Sequence, residues 1–186
     1  MTVRDPWLAV LTVLRVKGRG DAPALATASG VPSDACAPLL ADGVVRGVLA
    51  ARDGGRYTLT DEGRRELAGA LERTPVDRAA LEPLYAEFLV LDATLKADVT
   101  RWQEARSPEH LHAVQADATA AITLAARLAA CEPRYEAYER RFDAALVHLG
   151  GGDERFVAHP AVDSLHQIWF ELHEDLLLVL GRARDS

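Results

Sequence analysis

The sequence is poor in cysteine and has no long uninterrupted apolar run. Its two cysteines, Cys36 and Cys131, are too few and too far apart for a disulfide framework or a zinc knuckle, so we expect two reduced thiols. No stretch approaches the ~18 consecutive apolar residues of a membrane span, and the N-terminus lacks the basic and then apolar pattern of a secretory signal. We therefore expect a cytoplasmic protein with no membrane partner.

Motifs of common enzyme chemistry are also missing. No serine lies in a nucleophile-elbow context, and no glycine-rich loop follows a strand to hold a phosphate, because Gly150–Gly152 joins two predicted helices. His166 and His173 would lie roughly 10 Å apart along a helix, too far for one metal ion. We expect no catalytic residue, no metal and no cofactor, although a histidine beside Glu171 or Glu174 leaves acid–base chemistry open.

The composition is that of a folded globular protein, with 49% hydrophobic and 26% charged residues in a chain of 186. The net charge of −7 is distributed unevenly. Residues 1–75 hold 10 basic and 9 acidic residues, a net +1, whereas residues 76–186 hold 11 and 19, a net −8. The change in charge coincides with a change from short elements to long helical periodicity. It predicts two domains, residues 1–75 and 76–186.

Three short helices are expected at the start of the first domain. Apolar residues recur at three- and four-residue spacing from Trp7 to Val16, which predicts an amphipathic helix. Asp21 and Ser33 are favourable N-caps for two further helices, which Gly30 and Gly47 would end. This succession predicts a helix-turn-helix unit.

A hairpin should follow, because Gly54 and Gly55 lie between two β-prone runs and supply the positive φ angles of a tight turn. Thr60 or Asp61 would then cap a fourth helix. The segment resembles the winged-helix domains of MarR-like and PadR-like bacterial regulators over about 70 residues. The residues that carry the resemblance are Ala28-Ser29-Gly30-Val31, Gly47-Val48-Leu49 and Tyr57-Thr58-Leu59-Thr60-Asp61-Glu62-Gly63.

The resemblance implies that the third helix enters the major groove of DNA while the hairpin, or wing, contacts the backbone or the minor groove. The expected exposed positions of that helix offer no side-chain donor for guanine; they are Asp34, Ala35, Ala37, Pro38, Ala41 and Asp42. The candidate DNA contacts are Arg15, Lys17, Arg19, Ser33, Arg46, Arg52, Arg56, Arg64 and Arg65. Two interpretations stay open: binding through wing arginines and DNA shape, or a winged-helix scaffold that has lost DNA.

The second domain predicts a four-helix bundle. Its first helix, of about 25 residues, carries a heptad stripe formed by Leu81, Phe88, Leu95 and Trp102. Further helices are expected after Pro108, after Pro133 and after Pro160, the last carrying Val162. The apolar stripes of these helices are larger than the partner surfaces that one chain offers to bury them, so we expect a homodimer.

In the last helix, His166, Phe170 and His173 would lie nearly in line at about 100° per residue. Together with Val99-Thr100-Arg101-Trp102-Gln103, this helix is similar to the C-terminal part of a group of actinobacterial winged-helix regulators. The candidate ligand contacts are Tyr85, Trp102, His166, Trp169, Phe170 and His173. Alternatively, Asp163, Glu171 or the backbone holds both histidines in a packed interface.

These patterns predict a mainly α protein with an N-terminal winged helix-turn-helix, a small hairpin wing and a C-terminal helical dimerisation domain. The expected function is that of a homodimeric transcriptional regulator that binds double-stranded DNA and responds to a small-molecule effector. The alternative is a winged-helix scaffold that binds or processes a small metabolite in the pocket lined by histidine and tryptophan.

Overall fold

In a computed structural model, the structure describes residues 5–182 of the chain. The chain forms two compact units, Met1–Val76 and Asp77–Ser186. The first unit contains α1 (Pro6–Lys17), β1 (Gly20–Asp21), α2 (Ala22–Ser29), α3 (Ser33–Val45), β2 (Leu49–Arg52), β3 (Arg56–Leu59) and α4 (Asp61–Arg73). The second contains α5 (Arg78–Ala105), α6 (Pro108–Cys131), α7 (Glu136–Gly150), α8 (Arg155–Ala158) and α9 (Leu165–Leu180). The fold is mainly helical with a small antiparallel sheet, as the sequence predicts.

Side-chain oxygens cap the N-termini of α1 and α2, whereas α3 has no such cap. Asp5 accepts a hydrogen bond from the amide of Leu8, and Asp21 accepts one from the amide of Ala24. The expectation that Ser33 caps α3 is wrong, because α3 already begins at Ser33 and Pro32 before it has no capping side chain. The first turn of α3 therefore relies on the Pro32 carbonyl oxygen, which accepts from the amide of Cys36.

The sheet has the strand order β1-β3-β2. The register pairs Leu49 with Leu59 and Arg52 with Arg56, so the predicted hairpin is confirmed. Gly54 and Gly55 have φ values of +72° and +69°, which side chains disfavour. The two-residue strand β1 was not predicted. It is too short to show an alternating hydrophobic pattern in the sequence, and its pairing with β3 is a tertiary contact.

Thr60 and Gly63 join the wing to α4. The Thr60 hydroxyl donates to the carbonyl oxygen of Gly47 at 2.7 Å and accepts from the amide of Gly63 at 3.1 Å. A Cβ at position 63 would lie 2.3 Å from the carbonyl oxygen of Val48. Only glycine allows this approach, which gives a physical reason for the threonine and glycine of the motif.

In the second unit, the heptad stripe of α5 is buried as expected, with Leu81, Phe88, Leu95 and Trp102 at most 4% exposed. α6 packs against α5 and α7, while α9 packs against α5, α7 and α8. The last helix begins at Leu165, so the expectation that it carries Val162 is wrong. Between residues 5 and 182, no helix combines the length and the apolar character needed to cross a membrane.

Candidate functional site

Three arginines of the first unit line one groove on the sheet. Arg19 precedes β1, and Arg52 and Arg56 face each other across β2 and β3 at the tip of the wing. The groove has a volume of about 480 Å³ and also contains Thr58 and one acid, Asp53. Within residues 5–182 none of the three arginines forms an ion pair, and the Nε atom of Arg52 donates to the Thr58 hydroxyl at 3.2 Å. The groove therefore presents positive charge that neighbouring carboxylates do not neutralise.

Arg46, Arg64 and Arg65 differ, because each lies against a carboxylate. Arg46 pairs with Asp42 at 3.3 Å and with Glu66 at 2.5 Å, and its guanidinium lies 5.2 Å from the ring centre of Trp7. Arg64 pairs with Asp61 at 2.5 Å, and Arg65 pairs with Glu62 at 2.6 Å. These pairs lower the local positive potential that a phosphate would meet.

The other candidate DNA contacts lie outside the groove. Arg15 is exposed and Lys17 is half-buried in the last turn of α1, and Ser33 is exposed at the start of α3. None of the three lines the groove.

Beyond Ser33 in its first turn, the exposed positions of α3 up to Val45 carry no side-chain hydrogen-bond donor. Asp34, Ala37, Ala41 and Asp42 are exposed on this helix, and Val45 follows with 87% of its surface accessible. Pro38 is also exposed and does not interrupt the helix. Side chains at these positions therefore cannot donate hydrogen bonds to guanine.

In the second unit, Tyr85, Trp169 and His173 gather around Phe88, which is completely buried. The ring centres of Phe88 and Trp169 lie 4.3 Å apart, and those of Phe88 and His173 lie 4.9 Å apart. The Tyr85 hydroxyl and the Nε2 atom of His173 are 3.3 Å apart, and the Trp169 indole donates to Asp92 at 2.9 Å. These three candidate ligand contacts form a packed aromatic cluster with α5.

The other candidate ligand contacts lie apart from this cluster. His166 and Phe170 are on the exposed side of α9. Burial and the positive charge of Lys96 lower the pKa of His166. Trp102 lies 17 residues beyond Tyr85 on α5, roughly 25 Å along the helix axis. The structure does not bring all six candidate residues to one pocket.

Two arginines bind the acids of α9 and of the segment before it. Arg141 donates to Asp163 at 2.6 and 2.7 Å and to Glu171 at 2.6 Å, so these two acids contact Arg141. Arg134 donates to Asp175 at 2.6 Å. This network was not predicted, although Glu171 and Asp175 are four residues apart on α9, a spacing that places both acids on one helix face. Arg134 lies in a short 3-10 turn before α7, so no helical period relates it to Arg141.

The network also holds a buried tyrosine. The Tyr138 hydroxyl donates to Asp175 at 3.2 Å. Burial raises the pKa of Asp175, while Arg134 and the Tyr138 hydrogen bond oppose the change.

An acid pair lies between α5 and α6. Asp98 is 7% exposed and accepts a hydrogen bond from Arg101. Burial, followed by the charge of Asp98 and a hydrogen bond to it, raises the pKa of Asp117 to about 6, and Arg101 opposes the change. The two carboxyl groups therefore share a proton more readily than two isolated aspartates would.

This pair predicts a stability that depends on pH. Between the ordinary pKa of aspartate and about 6, the folded state binds more protons at Asp117 than the unfolded state, so stability falls as the pH rises through this window. We expect Asp117→Asn to match the wild type at pH 4 and to exceed it by about 1–2 kcal/mol at pH 8, after discounting for solvent screening. Urea unfolding across this pH range measures the difference.

Asp143→Asn is the control, because Asp143 is exposed and forms no ion pair in the part of the chain that the structure describes. An equal gain from Asp117→Asn at pH 4 and pH 8 would show that the charge of Asp117 is not responsible.

A cavity of about 460 Å³ lies where α5 ends, lined among others by Trp102, Arg106, Glu154, Arg155 and His159. Trp102 is 3% exposed, and its indole nitrogen has no hydrogen-bond partner within residues 5–182. The Arg106 guanidinium lies over the Trp102 ring at 3.8 Å and is 3.7 Å from Glu154. The backbone of Arg106 has φ +49° and ψ +35°, the left-handed region.

The described residues hold no group of three or more histidine, cysteine, aspartate or glutamate side chains placed to share a metal ion. Comparison of the chain with protein families, with curated proteins and with solved structures gives no match.

Proposed function

We propose that this protein is a winged-helix regulator that binds duplex DNA mainly through the groove of Arg19, Arg52 and Arg56. The single observation that carries the proposal is a contrast among its arginines: within residues 5–182 the three in the groove form no ion pair, whereas Arg46, Arg64 and Arg65 each pair with a carboxylate. Guanidinium groups suit phosphate because their donors match its oxygens in pairs.

The mode of recognition follows from α3. Apart from Ser33 in the first turn, its exposed face has no side-chain donor for base edges, and it carries Asp34 and Asp42, which phosphates repel. The wing arginines would therefore supply most of the affinity, and sequence preference would come from the width and deformability of the minor groove. We expect tighter binding to A·T-rich duplexes, whose narrow minor groove attracts arginine.

The regulator would work as a homodimer with an effector site in the helical unit. α5 supports the dimer, because Leu89 and Val90 are 44% and 68% exposed and Ala86, Ala93 and Ala97 lie exposed on the same helix. A two-fold protein matches the two-fold symmetry common in operators.

Fluorescence anisotropy with labelled A·T-rich and G·C-rich duplexes tests the proposal. We expect binding at low salt that weakens steeply as salt rises, because phosphate contacts release counterions. Arg52→Ala and Arg56→Ala should each weaken binding to both duplexes and lower the salt slope by about 0.9. Light scattering of the complex should give two chains per duplex.

Arg64→Ala and Arg65→Ala are matched controls from the same unit, since both arginines are exposed but lie against carboxylates. We expect their affinities to stay close to that of the wild type. Equal losses in the groove variants and the controls, or no binding at low salt, would reject the proposal.

The acidic face of α3, which has no basic side chain, favours a second candidate function, a winged-helix scaffold that no longer binds DNA and instead binds a small metabolite. Absence of duplex binding by the wild-type chain, together with small-molecule binding to the helical unit, would establish this candidate.

A further inference from the structure

The exposed apolar surface of the helical unit is concentrated on α5 and the adjoining edge of α9. Three of the five large hydrophobic side chains that are exposed in the described part of the chain lie here: Leu89 at 44%, Val90 at 68% and Phe170 at 38%. Because Trp169 stacks on Phe88, the residues that follow these two, Phe170 and Leu89, lie at the same level of the contact between α9 and α5. Exposed apolar surface gathered in one place indicates an interaction site.

Four residues along the middle of this face have a spacing that suits a two-fold axis. They are exposed at intervals of four, three and four residues, the period of a coiled-coil seam; they are Ala86, Val90, Ala93 and Ala97. A two-fold axis midway along this stripe, perpendicular to the helix, would place Val90 against Ala93 of a second copy and Ala86 against Ala97. The larger side chain then meets a small one, which lets the two helices approach to about 8 Å, the short end of the usual range.

The charges beside the stripe change sign along the helix. Glu82 and Glu87 lie towards its N-terminal end, whereas Lys96 and Arg101 lie towards its C-terminal end. On the α9 side of the stripe, antiparallel packing brings Glu82 of one chain towards Lys96 of the other. On the α6 side it brings Glu87 towards Arg101. Parallel packing would instead bring the acids of the two chains together.

These four side chains can contact a second chain without losing strong internal pairs. Each has an ion-pair partner in its own chain, but between 41% and 54% of each side chain stays exposed. Exposed pairs of this kind contribute about 0–1 kcal/mol, so they compete weakly with contacts across an interface.

A second copy is the partner that these features favour. A two-fold interface uses the same patch on both chains, so the patch must be complementary to itself in shape and in charge. The stripe meets the first condition because Val90 faces Ala93, and the second because its two ends carry opposite charges. A partner of one charge sign would require a face of the opposite sign, and this face carries both signs.

We propose that two copies of this chain pack antiparallel along α5, with the two-fold axis between Val90 and Ala93 and with Phe170 of each chain beside that axis. The inference rests on the homodimer of the proposed function and specifies its interface. Its tests use no DNA, so their failure and the failure of duplex binding are separate results.

Cysteine cross-linking distinguishes the antiparallel from the parallel arrangement. Cys36 is buried, so Cys131→Ser gives a background without an exposed thiol. In this background we expect Ala86→Cys combined with Ala97→Cys to form a covalent dimer on mild oxidation, because a disulfide needs Cα atoms about 4.4–6.8 Å apart. Each single variant should stay uncross-linked, because the antiparallel axis separates identical positions by roughly 16 Å along the helix.

A charge placed beside the axis should separate the two chains. Ala93→Glu brings a carboxylate from each chain to the centre of the interface, and the position is exposed in the single chain, so the variant should fold. We expect the dimer dissociation constant, measured by sedimentation equilibrium, to rise at least tenfold while the circular dichroism stays unchanged. Val147→Glu is the matched control, at a valine of α7 that is 67% exposed, and should leave the constant unchanged.

The outcomes separate the interface from the rest of the proposed function. A wild-type chain that is monomeric would overturn this inference together with the proposed homodimer. A dimer whose single-cysteine variants cross-link, whose double variant does not, or that withstands Ala93→Glu would overturn this inference alone. Cross-linking of the double variant alone would support the interface even if the chain bound no duplex.

Discussion

Replacing Arg141 by alanine is expected to destabilise the helical unit by about 3–5 kcal/mol. Arg141 is 4% exposed and is bound by two acids, Asp163 and Glu171. Glu171 is 1% exposed, so removal of the guanidinium leaves a carboxylate that water does not reach. Urea unfolding followed by circular dichroism measures the loss.

Arg140→Ala is the matched control for this prediction. Arg140 is the preceding residue on α7, but its side chain is 56% exposed and its ion pair with Glu136 is 3.8 Å long. Exposed pairs contribute about 0–1 kcal/mol, so this variant should remain close to the wild type. Comparable losses from the two variants would show that the buried charge of Glu171 is unimportant.

A double variant separates charge from packing. Adding Glu171→Gln to Arg141→Ala removes the buried negative charge at position 171 and leaves a side chain of similar volume there. We expect the double variant to be more stable than Arg141→Ala alone, because the main cost is a buried carboxylate that has lost its arginine and keeps only neutral donors such as Gln167. If the second substitution adds a further loss, packing around Arg141 is the larger contribution.

Phe88→Ala should cost about 3–5 kcal/mol, the range for removing a fully buried phenylalanine. Phe88 is completely buried and stacks on Trp169, with Tyr85 and His173 also against it. Truncation would leave a void at the centre of the α5–α9 contact. The same unfolding experiment measures the loss.

Val147→Ala is the control for Phe88→Ala. Val147 lies on α7 and is 67% exposed, so its truncation leaves no enclosed cavity. We expect a change within about 0.5 kcal/mol. An equal loss at both positions would show that the burial of Phe88 does not set the cost of its truncation.

The helices and the hairpin were predictable because local signals specify them. Helix capping by Asp21 and Thr60 involves residues close together in the sequence. The same holds for the turn, which needs the positive φ angles of Gly54 and Gly55. The pairing of β1 with β3 was not predictable, because it joins segments more than thirty residues apart along the chain.

The candidate sites were only partly predictable for the same reason. The sequence indicated the arginines of the hairpin as candidates. It did not show which arginines pair with carboxylates, because Arg46 contacts Glu66 only once the chain has folded. Helical periodicity aligned His166 with His173, yet the first faces outward and the second is buried, because α5 covers only part of α9. The ion pairs of Arg141 depend on which helix packs against α7, and the hydrophobic period of α7 does not identify that helix.

The register of the wing has one more consequence. Arg52 and Arg56 are directly opposed on neighbouring strands, and like charges in that position weaken a hairpin. Repulsion between these two charges therefore destabilises strand pairing at the tip of the hairpin. A polyanion bound beside both arginines would reduce this repulsion and stabilise the last residue pair before the turn.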